Sequence, residues 1–136
     1  MKLTTEKFNA MVAEHWPENR FLCEEITPEM ALVSLEPSES GIRPGGFISG
    51  PVQFAAADMV LWVLASATRD RPEPMALTSD LSIRYLRPSA GKRLYARATL
   101  NKASGRTVIG SVSVWTDDNE NKPCAIAQGT YVLPEQ

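Results

Sequence analysis

Residues 50–65 read GPVQFAAADMVLWVLA, and this stretch decides the fold of the chain. From Val52 to Ala65, only Gln53 and Asp58 are not apolar. A helix that is apolar on nearly every side is buried in a protein core, so the pattern predicts a central buried helix. An ionised carboxylate is costly to remove from water. Asp58 is therefore expected either to bond hidden partners or to lie where chemistry happens.

A segment rich in glycine and proline leads into this helix. SESGIRPGGFISGP, residues 38–51, holds four Gly and two Pro, which predicts a loop. Gly50 suits the helix cap and Pro51 the first helical position, where a missing N–H costs nothing. The helix is predicted to end near Thr68, because RDRPEP at residues 69–74 breaks the apolar pattern.

The rest of the chain predicts one shorter helix and several strands. Thr4 or Thr5 caps a helix that runs to about His15, and residues 20–26 and 30–36 form two short strands. After the central helix, alternating segments predict an antiparallel meander with one face covered: ALTSDLSIRYL, RLYARATL, TVIGSVSVWT and CAIAQGTYVL. The predicted class is α+β, a curved antiparallel sheet wrapped around one long central helix, and a dimer would help to complete the helix's burial.

Size and composition are typical of one soluble domain, residues 1–136, with 43% hydrophobic and 22% charged residues. The two cysteines, Cys23 and Cys124, lack the spacing of a disulfide framework or a zinc site, so a reducing cytoplasm is expected. The N-terminus has no apolar signal-peptide core. The apolar run at 52–65 is shorter than the roughly 20 residues that a membrane span needs, so no membrane partner is expected.

Charge is unevenly distributed along the chain. Residues 1–40 hold eight Glu, whereas residues 81–116 hold seven basic residues and no acid. This asymmetry indicates either an anionic partner on one side of the molecule or a solvated outer sheet face. The net charge of −2 and the lack of repeated aromatic residues in the basic stretch argue against a nucleic-acid partner.

Gly50 and Asp58 are separated by about two helical turns, a rise of about 12 Å. The first turn of a helix has free backbone N–H groups and the positive end of the helix dipole, which can hold an oxyanion. A carbonyl held there is too far from Asp58 of the same helix. Antiparallel packing of this helix in two subunits would bring the two groups together. Such a composite site suits acyl transfer to water, with the carboxylate as general base or nucleophile.

Two stretches, RPGGFISGPVQFAAADMVL and ALTSDLSIRYLRPSAGKRLYARATL, resemble the hotdog-fold acyl-CoA thioesterases of the phenylacetate-degradation (PaaI-type) group. The resemblance covers roughly residues 40–133. It implies a hotdog fold, a homodimer or a dimer-of-dimers tetramer, and hydrolysis of acyl-CoA thioesters. By motif position, Gly50 would supply the oxyanion N–H and Asp58 the catalytic carboxylate. Thr78 falls where the family often has a Ser or Thr that helps to hold the attacking water.

The helix entry departs from the family pattern at three positions. Ser49 stands where the family usually has His, Pro51 where a second Gly is common, and Arg43 where Asn or Gln is frequent. An Arg at position 43 can polarise the thioester carbonyl or bind phosphate instead. Gln53, in the first helical turn, can face the site or a neighbouring subunit.

The resemblance also suggests which residues contact coenzyme A and the acyl group. Coenzyme A carries phosphate groups at one end, and Arg84, Arg87 and Arg93 are candidates to bind them. The central helix offers four candidates to line an apolar acyl pocket, and the same residues are equally explained as ordinary core of a buried helix: Phe54, Met59, Leu61 and Trp62.

The chain has one histidine, His15, in the first predicted helix and far from the motif. Hotdog dehydratases and hydratases generally use an active-site His, so that chemistry is a poor match. Without a cluster of His or Cys, no metal site and no cofactor are expected. Two hypotheses follow: a thioesterase that hydrolyses an acyl-CoA, or a non-catalytic hotdog module that binds an acyl-CoA or a related ligand.

Overall fold

The computed structural model describes residues 1–136. Its helices are α1 (Thr5–His15) and α2 (Gly50–Thr68), and a short 3-10 turn covers Glu39–Gly41. Its strands are β1 (Phe21–Thr27), β2 (Met30–Leu35), β3 (Ile42–Arg43), β4 (Phe47–Ile48), β5 (Leu77–Tyr85), β6 (Leu94–Ser104), β7 (Thr107–Thr116) and β8 (Ala125–Val132). The predicted α+β class, with one long helix packed on a large antiparallel sheet, is confirmed.

The six long strands form one antiparallel sheet in the order β1-β2-β6-β7-β8-β5. The predicted four-strand meander is therefore only partly right. Strands β6, β7 and β8 do follow one another, but β5 pairs with β8 at the sheet edge. The connection at residues 86–93 therefore crosses from the edge strand β5 to β6, and Ala90 within it forms a bridge with Phe47. Strand β6 pairs with β2 instead, which leaves β5 with a free edge.

Helix α2 contacts all six long strands, so the sheet wraps around it. Leu61 is 1% exposed and lies over Gly110 and Gly129, which are paired across β7 and β8. A Cβ added at Gly110 would lie 2.8 Å from a Leu61 methyl carbon, and one at Gly129 would lie 2.7 Å from the other. The two glycines therefore let the helix pack closely onto the centre of the sheet.

Helix α2 is longer than the apolar run at 52–65. Its 19 residues are enough, by length and composition alone, to cross a membrane. The structure buries most of the helix beneath the sheet, as the near-continuous apolar sequence predicts.

The start of α2 differs from the prediction, because Ser49 and not Gly50 is the N-cap. Ser49 Oγ accepts the Val52 N–H at 3.3 Å, and the Ser49 carbonyl accepts the Gln53 N–H at 3.1 Å. Glycine has no side-chain acceptor, so the serine is the better cap. Pro51 has no N–H. The Gly50 N–H makes no hydrogen bond and is the one free donor of the first turn.

The segment predicted as a loop before α2 contains a two-strand hairpin, β3 and β4. Its turn needs glycine, since Gly45 and Gly46 have φ of 96° and 84°. The Ser49 N–H donates to the Gly41 carbonyl at 2.8 Å, and the Ile48 N–H donates to the Ser89 carbonyl at 2.9 Å. These bonds hold the hairpin at the entry of the central helix.

The other end of α2 is held by a buried ion pair. Arg69 Nη1 lies 2.8 Å from Glu73 Oε2, and both side chains are less than a tenth exposed. Arg69 also donates to the Pro134 carbonyl at 2.7 Å. The Glu73 carbonyl accepts the Trp62 indole N–H at 2.8 Å, and the Glu73 N–H donates to Ser66 Oγ at 3.2 Å. The Arg69–Glu73 pair thus joins the helix, the following loop and the C-terminal tail.

Helix α1 covers one side of α2 through an aromatic contact. Thr4, one of the two threonines predicted as the cap, is its N-cap and accepts the Lys7 N–H at 3.1 Å. The Phe8 ring meets the Trp62 ring edge-on, with 5.1 Å between the centroids. The Trp16 ring also meets the Trp62 ring, at 5.3 Å. The imidazole of His15 is exposed to solvent, with Nδ1 2.9 Å from the Met11 carbonyl.

Candidate active site

Asp58 is a half-buried carboxylate whose charge no cation neutralises. Its Oδ1 accepts the Thr78 hydroxyl at 2.5 Å and the Tyr131 hydroxyl at 2.9 Å. Asp58 belongs to none of the five ion pairs of the molecule: Arg69–Glu73, Arg71–Glu73, Arg97–Glu25, Arg97–Glu120 and Arg106–Glu135. Two neutral donors hold the anion, which leaves its charge available to a substrate.

The sheet brings the two hydroxyls to Asp58 through strand register. Thr78 on β5 is the cross-strand partner of Tyr131 on β8. Along β8 the residues that face α2 alternate strictly, and Tyr131 is 5% exposed. A bulge between Thr78 and Asp80 adds one residue to β5 at this point. Bulges re-aim a side chain next to a site, and here the bulge lies beside the threonine that bonds Asp58.

A cavity of about 370 Å³ opens beside Asp58. Aromatic and aliphatic side chains make most of its wall: Val12, Trp16, Phe21, Ala55, Met59, Trp62 and Tyr131. Met59 and Trp62, two of the four residues predicted as candidates for an acyl pocket, line this cavity. Leu61 is instead packed on the sheet, and Phe54 is 40% exposed. The cavity can hold an apolar group next to the carboxylate.

A second cavity, of about 530 Å³, lies at the N-terminus of α2. Four of the residues predicted for the site line it: Arg43, Gly50, Gln53 and Arg87. A Cβ at Gly50 would lie 3.2 Å from the Tyr85 ring, so a small side chain here would require that ring to shift slightly. The Tyr85 hydroxyl donates to the Gly50 carbonyl at 2.9 Å and steadies the helix entry next to its free N–H.

Two buried polar atoms in this second cavity have no partner. Gln53 is 5% exposed and donates to the Ile48 carbonyl at 3.1 Å, but its Oε1 accepts nothing. Ser89, 2% exposed, has an Oγ without a hydrogen bond. Ser49 is also buried, and its hydroxyl oxygen caps α2. Arg43 and Arg87 put positive charge at the same cavity, so this end of the helix suits a polar or anionic group.

The structure places two predicted arginines away from both cavities. Arg84 is exposed on β5, opposite Ile126, on a shallow polar surface with Ser82 and Gln128. Arg93 donates to Ser34 Oγ at 2.8 Å and lines neither the Asp58 cavity nor the Gly50 cavity. The acid-free basic stretch of the sequence is also partly neutralised by folding, through the ion pairs of Arg97 and Arg106 described above.

The two cavities each hold one half of an acyl-transfer site. The free N–H of Gly50 lies in one and the Asp58 carboxylate in the other, and neither cavity contains both. Two helical turns separate them, a rise of about 12 Å. One chain by itself therefore does not surround one carbonyl with both groups.

Burial raises the pKa of two tyrosines at the cavities and of both cysteines, which line neither cavity. Burial raises the pKa of the Tyr131 phenol, and the Asp58 charge raises it further, so Tyr131 stays a donor at neutral pH. Burial likewise raises the pKa of Tyr85. Both cysteines are buried and unbridged, and burial raises the pKa of Cys23 to about 12 and also raises that of Cys124. Neither thiol is a ready nucleophile.

Several residues of these cavities were not predicted from the sequence, among them the aromatic side chains Tyr131, Trp16 and Tyr85. Tyr131 stands at every-second-residue spacing from Ala125 and Ala127, which puts their side chains on one face of a strand. This spacing was a signal in the sequence that Tyr131 faces the core. Its proximity to Asp58 depends on the pairing of β8 with β5, which no local pattern reveals.

Comparison with known proteins places the chain in a family. Residues 45–122, more than half of the chain, match the model of the Thioesterase superfamily. No curated protein sequence matches the chain. A solved structure from a Silicibacter species, described as a candidate thioesterase, has 27% identity and a TM-score of 0.85, covering 98% of this chain and 93% of that one.

Two further structures share the fold at lower identity. A Haemophilus influenzae thioesterase has a TM-score of 0.80 and 18% identity, covering 99% of this chain and 93% of that one. A mutant of the phenylacetic acid degradation protein PaaI from Thermus thermophilus has a TM-score of 0.70 and 22% identity, covering 91% of this chain and 99% of that one. With the long helix enclosed by an antiparallel sheet, the chain belongs to the Thioesterase superfamily and is a hotdog-fold protein of the class that hydrolyses acyl thioesters.

Proposed function

We propose that this protein hydrolyses an acyl-CoA to the free acid and coenzyme A, in composite sites formed by two copies of the chain. The observation that carries the proposal is the separation of the two reactive groups on α2. The free Gly50 N–H and the unneutralised Asp58 carboxylate stand at different cavities. Antiparallel packing of two α2 helices would place the N–H of one copy beside the carboxylate of the other.

A surface next to these cavities supports a second copy as the partner. Strand β5 has a free edge, and exposed edges can pair with another strand. Exposed apolar side chains surround that edge and the neighbouring face of α2: Phe47, Phe54, Leu77, Tyr85 and Leu86. Apolar groups gathered in this way mark an interaction surface. Whether the assembly is a dimer or a dimer-of-dimers is measured by light scattering.

The chemistry assigns one task to each group. The Gly50 N–H stabilises the oxyanion that forms as the thioester carbonyl is attacked. Asp58 either removes a proton from the attacking water or attacks the carbonyl itself to form an anhydride that water then opens. In both routes the C–S bond breaks, coenzyme A leaves as the thiol and the acyl group leaves as the acid. Single turnover in ¹⁸O-labelled water separates the routes, since only the anhydride route can put label into Asp58.

Each cavity suits one part of an acyl-CoA. Arg43 and Arg87 supply positive charge for phosphate groups at the cavity of Gly50. The aromatic cavity beside Asp58 suits the acyl group. The two free, buried cysteines support a reducing compartment such as the cytoplasm.

The experiment that tests the function is a panel of acyl-CoA thioesters with short, long and aromatic acyl groups. Hydrolysis is followed by thiol release, and binding by thermal shift. Turnover of at least one thioester is expected. Binding without thiol release across the panel would support the alternative, a non-catalytic module, and would refute the proposed hydrolysis.

Removal of the Gly50 N–H is expected to slow hydrolysis strongly. Gly50→Pro deletes this donor at a position where a helix needs no N–H, and Ser49 before it is already extended. Gly50→Ala is the matched control, because it adds the same Cβ near Tyr85 but keeps the N–H. The proline variant is expected to have a kcat about 100-fold below that of the alanine variant. Equal rates in the two variants would show that this N–H holds no oxyanion.

Mixing two inactive variants tests the composite site. Asp58→Asn and Gly50→Pro proteins are unfolded together and refolded, so that mixed dimers form. Each mixed dimer would carry one intact site, and about a quarter of wild-type activity is expected from random pairing in a two-fold symmetric dimer. If both groups of a site came from the same chain, the mixture would stay inactive.

A further inference from the structure

The hydrogen bonds at Asp58 are distributed unequally between its two oxygens. Oδ1 accepts both hydroxyls, from Thr78 at 2.5 Å and from Tyr131 at 2.9 Å, whereas Oδ2 accepts none. The terminal torsion of an aspartate is broad, so a carboxylate without partners turns freely about it. Two donors from neighbouring strands on one oxygen restrict that rotation and determine where the other oxygen points.

Each donor has restricted freedom of its own kind. Thr78 is β-branched, which restricts its χ1, and it lies in the register of the sheet. Tyr131 is 5% exposed and its ring is part of the wall of the aromatic cavity. A rigid donor positions its acceptor better than a mobile one, because less freedom is left to the bonded group.

We propose that Tyr131 is a positioning residue for the hydrolysis: with Thr78 it fixes Asp58 Oδ1 and so directs Oδ2 at the attacking water or the thioester carbonyl. The inference rests on the proposed function and adds a residue to it. The raised pKa of Tyr131 agrees with this role, since the phenol stays protonated and remains a donor beside the anion.

The role differs from that of a wall of the acyl pocket, although Tyr131 also lines that cavity. A wall residue acts through its ring and changes KM or acyl preference. A positioning residue acts through its hydroxyl and changes kcat. Tyr131→Phe separates the two, because it keeps the ring and removes only the hydroxyl.

The test compares Tyr131→Phe with wild type on the best acyl-CoA of the panel. A kcat about tenfold lower is expected, as befits loss of one hydrogen bond to a charged group, with KM within about twofold. Tyr95→Phe is the matched control, because it removes a phenol hydroxyl from β6, where Tyr95 stacks on Trp115 away from both cavities. It is expected to keep wild-type kcat.

Two combinations show whether the effect acts through Asp58. The double variant Thr78→Val with Tyr131→Phe is expected to lose more than the product of the single losses, since either hydroxyl alone still holds Oδ1. In an Asp58→Asn background, Tyr131→Phe is expected to change the residual rate by less than about twofold. If Tyr131→Phe folds poorly, Thr78→Val tests the same oxygen from the other strand.

The outcomes separate this inference from the proposed function. An inactive Asp58→Asn protein together with full kcat in Tyr131→Phe would overturn the positioning role alone. A raised KM with unchanged kcat would also overturn it, because it would show a direct contact with the acyl group. Full activity in Asp58→Asn would instead refute the catalytic role of Asp58, and the positioning role would fall with it. Absence of thiol release by the wild-type protein would refute the proposed function itself.

Discussion

Asp58→Asn is expected to lower kcat/KM for acyl-CoA hydrolysis by at least about a thousandfold, in line with losses seen when a catalytic group is removed. The amide has the shape of the carboxylate and can still accept the hydroxyls of Thr78 and Tyr131 through Oδ1. It can neither take a proton from water nor attack a carbonyl. The loss should therefore appear in kcat, with the fold and the assembly unchanged.

Asp80→Asn is the matched control for this experiment. Asp80 lies on the edge strand β5, close to Thr78. Its exposed carboxylate makes no ion pair and no side-chain hydrogen bond. It is expected to keep wild-type turnover. Rates come from the thiol-release assay, while thermal unfolding and light scattering check the fold and the oligomer. A wild-type rate in Asp58→Asn would refute the proposed mechanism.

Glu73→Gln is expected to lower the free energy of unfolding by about 3 kcal/mol, because removing one partner of a buried ion pair leaves the other charge without compensation. Arg69 would keep its bond to the Pro134 carbonyl but lose the carboxylate, while its side chain remains 8% exposed. The damage would be at the end of α2 remote from Gly50, so activity below the unfolding temperature should change little.

The same carboxylate provides the control for this prediction. Arg71 bonds Glu73 Oε1 at 2.9 Å, but its side chain is 52% exposed. Arg71→Gln is expected to cost less than about 1 kcal/mol, as for other solvent-exposed pairs. Urea unfolding of both variants measures the difference. Equal and small losses would show that burial of the Arg69–Glu73 pair adds nothing to stability.

The long helix and most strands could be predicted because their signals are local. The apolar run from Val52, the proline at position 51 and the break after Thr68 define α2 within one or two residues. The alternation of Leu94, Ala96 and Ala98 likewise defines one face of β6, and all three are buried. The predicted position of β5, beside β6 in a meander, was wrong because strand order depends on contacts between distant segments.

The candidate site could likewise be predicted only in part, since some of its residues have local signals and others do not. Spacing along one helix was enough to show that Gly50 and Asp58 cannot serve one carbonyl within a chain. Thr78 was placed only through a family resemblance, and the structure brings it to Asp58. Tyr131 was missed, since its approach to Asp58 follows from a cross-strand register over more than fifty residues of chain. Assignment of the cap to Gly50 overlooked the oxygen of Ser49.

The pair of glycines under Leu61 links packing to catalysis. Gly110 and Gly129 leave room for α2 to lie close to the sheet, and Asp58 on the same helix reaches hydroxyls on β5 and β8. A methyl group at Gly110 would displace the Leu61 and Leu64 side chains of that helix, and one at Gly129 would also press on the Asp80 carbonyl of β5 at 2.9 Å. The absence of a side chain at these two positions thus affects how closely the helix that carries Asp58 can lie on the sheet, although both glycines lie outside the two cavities.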